Sequence, residues 1–253
     1  MNDLSLNGKT ILITGAAKRV GRLFALACAG AGADIIIHHG HSRKEALQVK
    51  DEIESLGQNA YVLAADLGKP AEAAKLISQT NEFGPLYGLV NSAAIFEPLS
   101  FDETSYEVWE RHIALNLTAP FLLSQAFARQ VPKNGYGRIV NIVDWRALRP
   151  AADHFPYTIS KAALAALTQS LAVALAPRIT VNGLALGAIL PPSDGQGVKS
   201  DKIIKDVPAK RWSEPQEVGE ALVFLLSGPA YVTGEIIHVD SGFNAVVGGM
   251  TGG

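Results

Sequence analysis

Tyr157 and Lys161 have the four-residue spacing that places two side chains on one face of a helix, about one turn apart. A free phenol has a pKa of about 10 and is a poor acid at neutral pH. An ammonium group beside it favours the phenolate, so we expect Lys161 to lower the pKa of Tyr157. The pair is therefore suited to giving a proton to a reacting group.

Asp144 precedes this pair and follows the apolar run Gly137–Val143, which predicts a buried parallel strand. Ligands of open α/β sheets bind at the carboxyl ends of the strands. The segment from Asp144 to Lys161 should therefore bring a carboxyl, a phenol and an ammonium group to one place. The alternative role for Asp144 is to cap a turn without taking part in chemistry.

The loop Thr14–Gly21 lies between a predicted strand and a predicted helix, which is the setting of a dinucleotide-binding turn. Its glycines let the backbone approach a pyrophosphate, and the first N–H groups of the helix attract negative charge. Most loops of this type have glycine where this chain has Arg19. That arginine takes up room but adds a positive charge.

The end of the second predicted strand lacks the carboxylate that binds the ribose 2′-hydroxyl in NAD-specific folds. His38 or His39 stands there instead, and Lys18 and Arg19 are expected opposite. This set favours a 2′-phosphate, and hence NADPH/NADP+ as the cofactor. A metal site built from the nearby histidines is the poorer alternative, since no thiol or acidic partner is close in sequence.

Further cofactor contacts are predicted along the carboxyl edge of the sheet. Asp66 follows the third strand and is placed to hold the adenine. Asn116 interrupts a helix and is placed to hold a water behind Lys161, although an amide with no special role is the alternative. The predicted cofactor-binding residues are Gly15, Lys18, Arg19, Val20, His39, His41, Ser42, Arg43, Asp66, Leu67, Asn91, Ser92, Ala93, Tyr157, Lys161, Gly187 and Ile189.

The overall composition argues against several classes of function. The 253 residues carry a formal charge of -2 and a pI of about 6.3, so no basic surface for nucleic acid is expected. Cys28 is the only cysteine, which excludes an internal disulfide and suits a cytoplasmic protein. The start has no signal-peptide pattern, and no apolar run approaches a membrane-spanning length, so we expect no membrane role.

Predicted strands and helices alternate along the chain, which is typical of a parallel sheet covered by helices on both faces. We predict an α/β, single-domain Rossmann fold over residues 1–253, with a doubly wound parallel seven-stranded sheet and a flexible tail at about 246–253. The irregular stretch 190–212 is either a mobile substrate lid or an ordinary surface loop. The predicted strands are 9–14, 34–38, 59–65, 85–90, 138–143, 179–184 and 235–239, and the predicted helices are 22–32, 43–56, 70–83, 107–130, 156–176 and 214–226.

These features together resemble the short-chain dehydrogenase/reductase family over residues 6–244. The resemblance implies hydride transfer from a nicotinamide, with Tyr157 as the proton donor. It implies that Lys161 binds the ribose and lowers the Tyr157 pKa, that Asn116 completes the proton relay, and that the protein is a homotetramer. It rests on Asn116, Tyr157, Lys161 and the motifs Val181–Gly183, Ser213–Glu217, Val232–Gly234 and Val239–Gly242.

Two departures from the common family pattern occur together in its pteridine reductase branch. They are Arg19 in the cofactor loop and Asp144, where most members have serine. Phe96 matches the aromatic residue that stacks on the pterin in that branch, and core packing is its alternative role. The resemblance implies that Arg19, Phe96, Asp144 and Tyr157 bind a substrate whose C=N bond is reduced.

Three functions remain open from the sequence. The first is an NADPH-dependent pteridine reductase acting on a dihydropterin or a folate. The second is a carbonyl reductase of the same family for a ketone, a sugar or a 3-oxoacyl thioester, although Asp144 in place of serine argues against it. The third is a non-catalytic NADP-binding sensor, against which the complete set of Asn116, Tyr157 and Lys161 argues.

Overall fold

A computed structural model describes residues 4–191, 204–205 and 207–245 of the chain. The strands of this part form one sheet in the order β3-β2-β1-β4-β5-β6-β7, and every neighbouring pair runs parallel. The strands are β1 Thr10–Ile13, β2 Asp34–His39, β3 Ala60–Ala64, β4 Leu86–Asn91, β5 Gly137–Asp144, β6 Ile179–Leu186 and β7 Ile236–Val239.

The strand order changes direction between β1 and β4. From β1 the sheet continues outward through β2 and β3, and from β4 it continues through β5, β6 and β7. Ligands of open α/β sheets bind outside the carboxyl ends of the strands at such a switch point. The ends of β1, β4 and β5 therefore mark the expected site, and Asp144 is the last residue of β5.

The helices follow the predicted segments closely. Their bounds are α1 Arg19–Gly30, α2 Arg43–Ser55, α3 Pro70–Gln79, α4 Tyr106–Ile113, α5 Ala119–Gln130, α6 Phe155–Leu175 and α7 Pro215–Ser227. The segment 107–130 is expected from the sequence to be one long helix or two pieces that meet near Pro120. A π-helical turn at Ala114–Thr118 divides it, and Asn116 lies fully buried at the centre of that turn. Pro120 is near the start of α5, where its missing N–H costs no helical hydrogen bond.

Alternate residues of the strands pack on opposite faces of the sheet, as the two-residue period of a strand requires. Ile11 and Ile13 pack with apolar side chains of α1, α2 and α7 on one face. Leu12 and Ile36 pack with side chains of α3, α5 and α6 on the other face. The predicted doubly wound sheet with helices on both faces is confirmed.

Helix α6 differs from the expectation that no run approaches a membrane-spanning length. By length and composition alone it is able to cross a membrane, with a mean hydropathy of 1.4 over its most apolar window. It packs against β5 and β6 and carries Tyr157 and Lys161, so its apolar length serves the fold. The predicted tail at about 246–253 and most of the stretch 190–212 lie outside the described residues.

Candidate active site

The structure brings Asp144 and Tyr157 into direct contact. The Tyr157 hydroxyl donates a hydrogen bond to Oδ2 of Asp144 over 3.1 Å. The other oxygen, Oδ1, accepts from the backbone N–H of Arg146 over 2.9 Å and caps the short 3₁₀ helix Trp145–Ala147. Asp144 therefore caps a turn and contacts Tyr157 at the same time, because each carboxyl oxygen has its own partner.

The pKa of Tyr157 differs from the sequence prediction. Burial of the phenol raises it well above its usual value, and the neighbouring charge and hydrogen bond of Asp144 raise it further. Lys161 lies on the same side of α6, with Nζ 5.7 Å from the centre of the Tyr157 ring. The Tyr157 pKa is therefore raised in this structure and not lowered as expected, and the charge that opposes the increase is that of Arg146.

Lys161 is itself strongly affected by its surroundings. Its ammonium group is buried and donates to the carbonyl oxygen of Ile142 in β5 over 2.6 Å. Burial lowers its pKa to about 8, and the negative charge of Asp144 opposes this shift. Lys161 is thus a cation at neutral pH, but one that loses its charge slightly above it.

Asn116 holds the loop that follows β4. Its Oδ1 accepts from the N–H of Ile95 over 3.0 Å, and its Nδ2 donates to the Ile95 carbonyl over 3.1 Å. Nδ2 also donates to Oγ of Ser160 on α6 over 3.0 Å. The Asn116 side chain therefore connects the π-helical turn, this loop and α6. Its contact in the loop, Ile95, directly precedes Phe96. The predicted water contact stays a prediction.

Phe96 is 53% exposed, which rules out the core-packing alternative. Its ring stacks on the imidazole of His154, with centroids 4.0 Å apart and planes 16° apart. The edge of the Tyr157 ring meets it at 4.7 Å. An exposed aromatic surface therefore lies directly beside the Asp144–Tyr157 pair, and His154 already covers part of it.

Arg146 and His154 are site residues that the sequence analysis missed. The Arg146 guanidinium lies 4.5 Å from the Trp145 ring centre and 5.6 Å from that of Phe96. Its Nη2 lies 3.2 Å from Oδ2 of Asp153. The same carboxyl oxygen lies 2.8 Å from Nδ1 of His154, within hydrogen-bond distance. The tract from Trp145 to His154 follows Asp144 directly, which was the available signal.

The turn between β1 and α1 is shaped for the close approach of other groups. A Cβ on Gly15 would lie 2.9 Å from the Cα of Ala93, and a Cβ on Gly21 would overlap the Gly15 carbonyl oxygen. Arg19 has a φ of +49°, a left-handed conformation that usually favours glycine. Its guanidinium donates to the Pro191 carbonyl over 3.1 Å, so the side chain reaches across to the segment after β6.

His38 has a structural role at the end of β2. Its Nδ1 accepts from the N–H of Gly15 over 3.2 Å, and its Nε2 lies 3.0 Å from the Ala65 carbonyl. Burial lowers its pKa to about 4, so the ring is neutral with the proton on Nε2. Both nitrogens are occupied, which removes His38 from the metal alternative. His39 is also buried, and its two ring nitrogens have no hydrogen-bond partner within the described residues.

The region expected to bind a 2′-phosphate contains a carboxylate after all. Lys18 forms an ion pair with Glu45 of α2 at 2.8 Å, which corrects the expectation that the region has only cations and a hydroxyl. Arg43 and His41 remain exposed, and Ser42 precedes α2 without capping it. The excess of positive charge is retained, because one carboxylate faces several basic side chains.

The remaining predicted cofactor residues lie along the carboxyl edge of the sheet. Asp66 Oδ1 accepts from Gly68 N–H over 3.0 Å, and Leu67 is buried beside it. The Asn91 amide points into the sheet and donates to Asn141 over 2.8 Å, so its backbone is the part available to a ligand. The N–H groups of Ser92 and Ala93 donate to Thr14 Oγ1. Ile189 is buried.

These residues fit a dinucleotide. The first helical N–H groups of α1 face the turn, and its first turn has no acidic residue. Val20 is partly exposed in this same turn, and Gly187 is so close to Asp240 that a Cβ there would lie 2.7 Å from the Asp240 Cβ. The glycine turn suits the pyrophosphate, and the positively charged start of α2 suits a ribose phosphate. The buried ammonium group of Lys161 suits the ribose of the nicotinamide half.

The fold and the site define a nucleotide-dependent oxidoreductase of the Rossmann type. A family model described as enoyl-(acyl carrier protein) reductase matches residues 15–244. The chain belongs to the short-chain dehydrogenase/reductase family, as the sequence predicted.

Named relatives extend over nearly the whole chain. A 3-oxoacyl-(acyl-carrier-protein) reductase from Aggregatibacter actinomycetemcomitans is 36% identical over 92% of this chain and 98% of its own length. A 5-keto-D-gluconate 5-reductase from Escherichia coli K12 is 34% identical over 98% of this chain and all of its own.

Among solved structures, the FolM alternative dihydrofolate reductase 1 from Brucella canis, complexed with NADP, superposes with a TM-score of 0.88. It is 31% identical and covers 96% of this chain and 97% of its own. NADP in this relative agrees with the cofactor that the sequence predicts. The pteridine reductase branch is not established by these matches, because the relatives differ in the substrates that they are named for.

Proposed function

We propose that this protein is an NADPH-dependent reductase that gives a hydride and a proton to a polar double bond. The observation that supports this most directly is the hydrogen bond of 3.1 Å between Tyr157 and Asp144 at the carboxyl edge of the sheet. The bound nicotinamide would supply the hydride. The solved relative that holds NADP supports the choice of cofactor.

The protein's own residues supply the proton that is transferred to the substrate. Tyr157 carries it, and the ionised form of Asp144 accepts the Tyr157 hydrogen bond, whereas only the protonated form can donate. Lys161 places positive charge near the phenol and stabilises negative charge that develops there. One proton leaves the Asp144–Tyr157 pair for the substrate, and solvent restores it.

We propose reduction of a C=N bond in a dihydropterin or a folate as the first candidate for the specific reaction. A simple carbonyl substrate needs only a hydroxyl donor, whereas Asp144 offers a carboxyl. A pterin presents several ring N–H groups, and a carboxylate can accept hydrogen bonds from them. The half-exposed Phe96 offers an apolar plane to a flat ring. Similarity to the FolM alternative dihydrofolate reductase 1 agrees with this proposal.

Carbonyl reduction is the second candidate, and the named curated relatives favour it. They include a 3-oxoacyl-thioester reductase and a keto-sugar-acid reductase that match almost the whole chain. The stacking of His154 on Phe96 also favours it, because that face of the ring is closed to a flat substrate. In this case Asp144 would replace the usual serine as the group that holds the substrate.

Two further proposals concern the setting of the enzyme. We propose that the described residues form one domain, since one sheet carries every strand of this part of the chain. The buried thiol of Cys28, the only cysteine, is consistent with a cytoplasmic enzyme.

The test is NADPH oxidation with a substrate panel. The panel contains dihydrobiopterin, dihydromonapterin, dihydrofolate and folate beside several ketones, and Tyr157→Phe serves as the blank. Turnover of pterins alone supports the first candidate, and turnover of ketones alone supports the second. Tight NADPH binding without any turnover would indicate a non-catalytic sensor instead.

Asp144→Ser separates the two candidates further. For a pterin reductase we expect kcat/KM on pterins to fall by on the order of 100-fold, because a serine hydroxyl cannot replace a carboxyl that holds ring N–H groups. Activity on simple ketones should fall less or rise. Equal losses on both substrate classes would contradict a pterin-specific role for Asp144.

A further inference from the structure

Arg146 occupies an unusual position between the two halves of the candidate site. Its side chain is only 15% exposed, and its buried Nε has no hydrogen-bond partner among the residues that the structure describes. Burying a guanidinium is costly unless its surroundings compensate for the lost water. The proposed function gives Arg146 no task, so its burial needs an explanation.

The contacts of Arg146 fall into two groups. On one side, Nη1 lies 3.8 Å from Asp144 Oδ1, and the Arg146 backbone N–H donates to the same oxygen. On the other side, Nη2 lies 3.2 Å from Oδ2 of Asp153, the oxygen that is paired with His154. The guanidinium therefore links the carboxyl that contacts Tyr157 with the carboxyl that holds His154.

Both linked carboxyls control the orientation of a ring. Asp144 fixes the direction of the Tyr157 hydroxyl. Asp153 fixes the orientation of the His154 ring, which stacks on Phe96. The backbone of His154 has a left-handed φ of +55°. The Tyr157 ring in turn meets Phe96 edge-on. The result is a closed chain of contacts with Arg146 at its centre.

We propose that Arg146 is a positioning residue that couples the proton-donating pair to the aromatic surface of the substrate site. It sets the geometry of Asp144 and Tyr157 through one end of its guanidinium, and that of His154 and Phe96 through the other. This inference deepens the proposed function, because it takes Tyr157 as the proton donor. It holds for a pterin and for a carbonyl substrate alike.

The positive charge of Arg146 has an electrostatic effect that agrees with this geometry. It lowers the pKa of Tyr157 and so opposes the larger increases due to burial and Asp144. The sequence analysis assigned that effect to Lys161. In this structure Arg146 provides it, from the turn after β5 and not from α6.

Substitution of Arg146 can be compared with that of a neighbouring arginine. Arg149 lies in the same tract but donates to the carbonyl oxygens of Phe243 and Asn244. Arg149→Gln therefore removes the same charge without touching either carboxyl. Arg146→Lys keeps the charge but lacks the planar fork that reaches two partners. Asp153→Asn removes the charge that pairs with both Arg146 and His154, and leaves the contacts of Asp144 in place.

The first measurement is the NMR chemical shift of the Tyr157 ring carbon Cζ at neutral pH, in protein labelled at tyrosine Cζ. The Tyr157 signal is assigned with Tyr157→Phe, and Asp144→Ser gives the shift of a Tyr157 without its carboxyl partner. We expect Arg146→Gln to move the signal towards the Asp144→Ser value, and Arg149→Gln to leave it in place. The other tyrosine signals report whether each variant is folded.

The second measurement is steady-state turnover with a substrate that the panel identifies. Arg146→Gln should lower kcat/KM by on the order of 100-fold through both kcat and KM, because small displacements of reacting groups have effects of that size. Asp153→Asn should raise KM and leave kcat nearly unchanged. Arg146→Lys should restore part of kcat but little of KM, and NADPH affinity should stay the same throughout.

Two results would overturn the proposal. One is a Tyr157 signal that is unchanged in Arg146→Gln, and the other is an equal change in Arg149→Gln. The NMR measurement needs no substrate, so it decides the role of Arg146 even if no panel compound is reduced. An absence of turnover would then count against the proposed function and not against the coupling.

Discussion

Lys161 is a residue whose charge changes within the working pH range. Burial lowers its pKa to about 8, so the ammonium form is present below that value and is lost as pH rises through it. In the proposed function, this charge stabilises negative charge on Tyr157 and holds a ribose of the cofactor. We therefore expect kcat/KM to fall as pH rises through about 8.

A pH–rate profile of kcat/KM for NADPH tests this, since that constant reports on groups of the free enzyme. Lys161→Arg is the matched variant, because a guanidinium keeps its charge over the whole range. Its activity is expected to be lower but without the decrease near pH 8. If Lys161→Arg shows the same decrease, another group is responsible.

His38 makes a second pH-dependent contribution, this time to stability. Its pKa falls from 6.5 to about 4 on folding, because burial disfavours the charged ring, and the hydrogen bond to the Ala65 carbonyl opposes only part of this fall. The unfolded chain binds the additional proton between these values, so stability should be lost as pH falls from 6.5 towards 4. At pH 5 we expect a loss on the order of 1–2 kcal/mol relative to pH 7.5.

Urea unfolding at pH 5 and pH 7.5 measures this difference. His38→Asn can still donate and accept hydrogen bonds but does not titrate, so its stability should depend less on pH by about the same amount. An equal pH dependence in both proteins would show that His38 is not the source. A lower stability of the variant at both pH values does not affect this comparison.

At the scale of elements, the close contact between α1 and the turn that connects it to β1 depends on Gly21. A Cβ on Gly21 would overlap the Gly15 carbonyl, whereas one on Gly30, at the other end of α1, would meet nothing within 4 Å. We expect Gly21→Ala to cost about 1–3 kcal/mol of stability through overpacking and to weaken NADPH binding. Gly30→Ala should be neutral or stabilise the helix by about 0.5–1 kcal/mol.

Thermal unfolding with and without NADPH measures both effects. If α1 tolerates both substitutions equally, the close packing of the turn is not important for cofactor binding. A loss of NADPH binding in Gly30→Ala would likewise contradict the assignment, because that residue is remote from the turn.

The elements were predictable from the sequence because their signals are local. Apolar runs such as Arg138–Val143 and glycines at helix ends follow directly from the residue types, and the strands and helices agree to within a few residues. Asp144 and Tyr157 were brought together correctly because strand β5 and helix α6 are consecutive. The position of Arg19 at the first residue of α1, with a left-handed φ, was not predictable from spacing.

The energetics of the site were less predictable, since they depend on burial and on contacts distant in sequence. The spacing of Tyr157 and Lys161 shows that they share a helix face, but not that burial and Asp144 raise the Tyr157 pKa. Similarly, Asn116 binds Ile95 and Ser160, which no local pattern indicates. The Lys18–Glu45 pair forms only because α1 and α2 pack side by side.

At the scale of the whole molecule, α5 and α6 present an apolar surface. A groove of about 510 Å³ lies between them, and its lining includes Phe121, Leu171 and Leu175. Val173 on α6 is 83% exposed. The family resemblance implies a homotetramer, and we propose that this face is one of its interfaces.

Val173→Asp tests the proposal, because a two-fold interface would place two such carboxylates close together at a desolvated contact. Light scattering after gel filtration should give the wild type a mass near four times the 26.8-kDa chain, and the variant a mass of one or two chains. Tyr231→Asp is the control, since Tyr231 is fully exposed outside this groove. A variant that keeps the wild-type mass would exclude the α5–α6 face as the interface. If the variant is smaller but keeps its kcat, assembly serves stability, because α6 then holds Tyr157 and Lys161 in place without a neighbour.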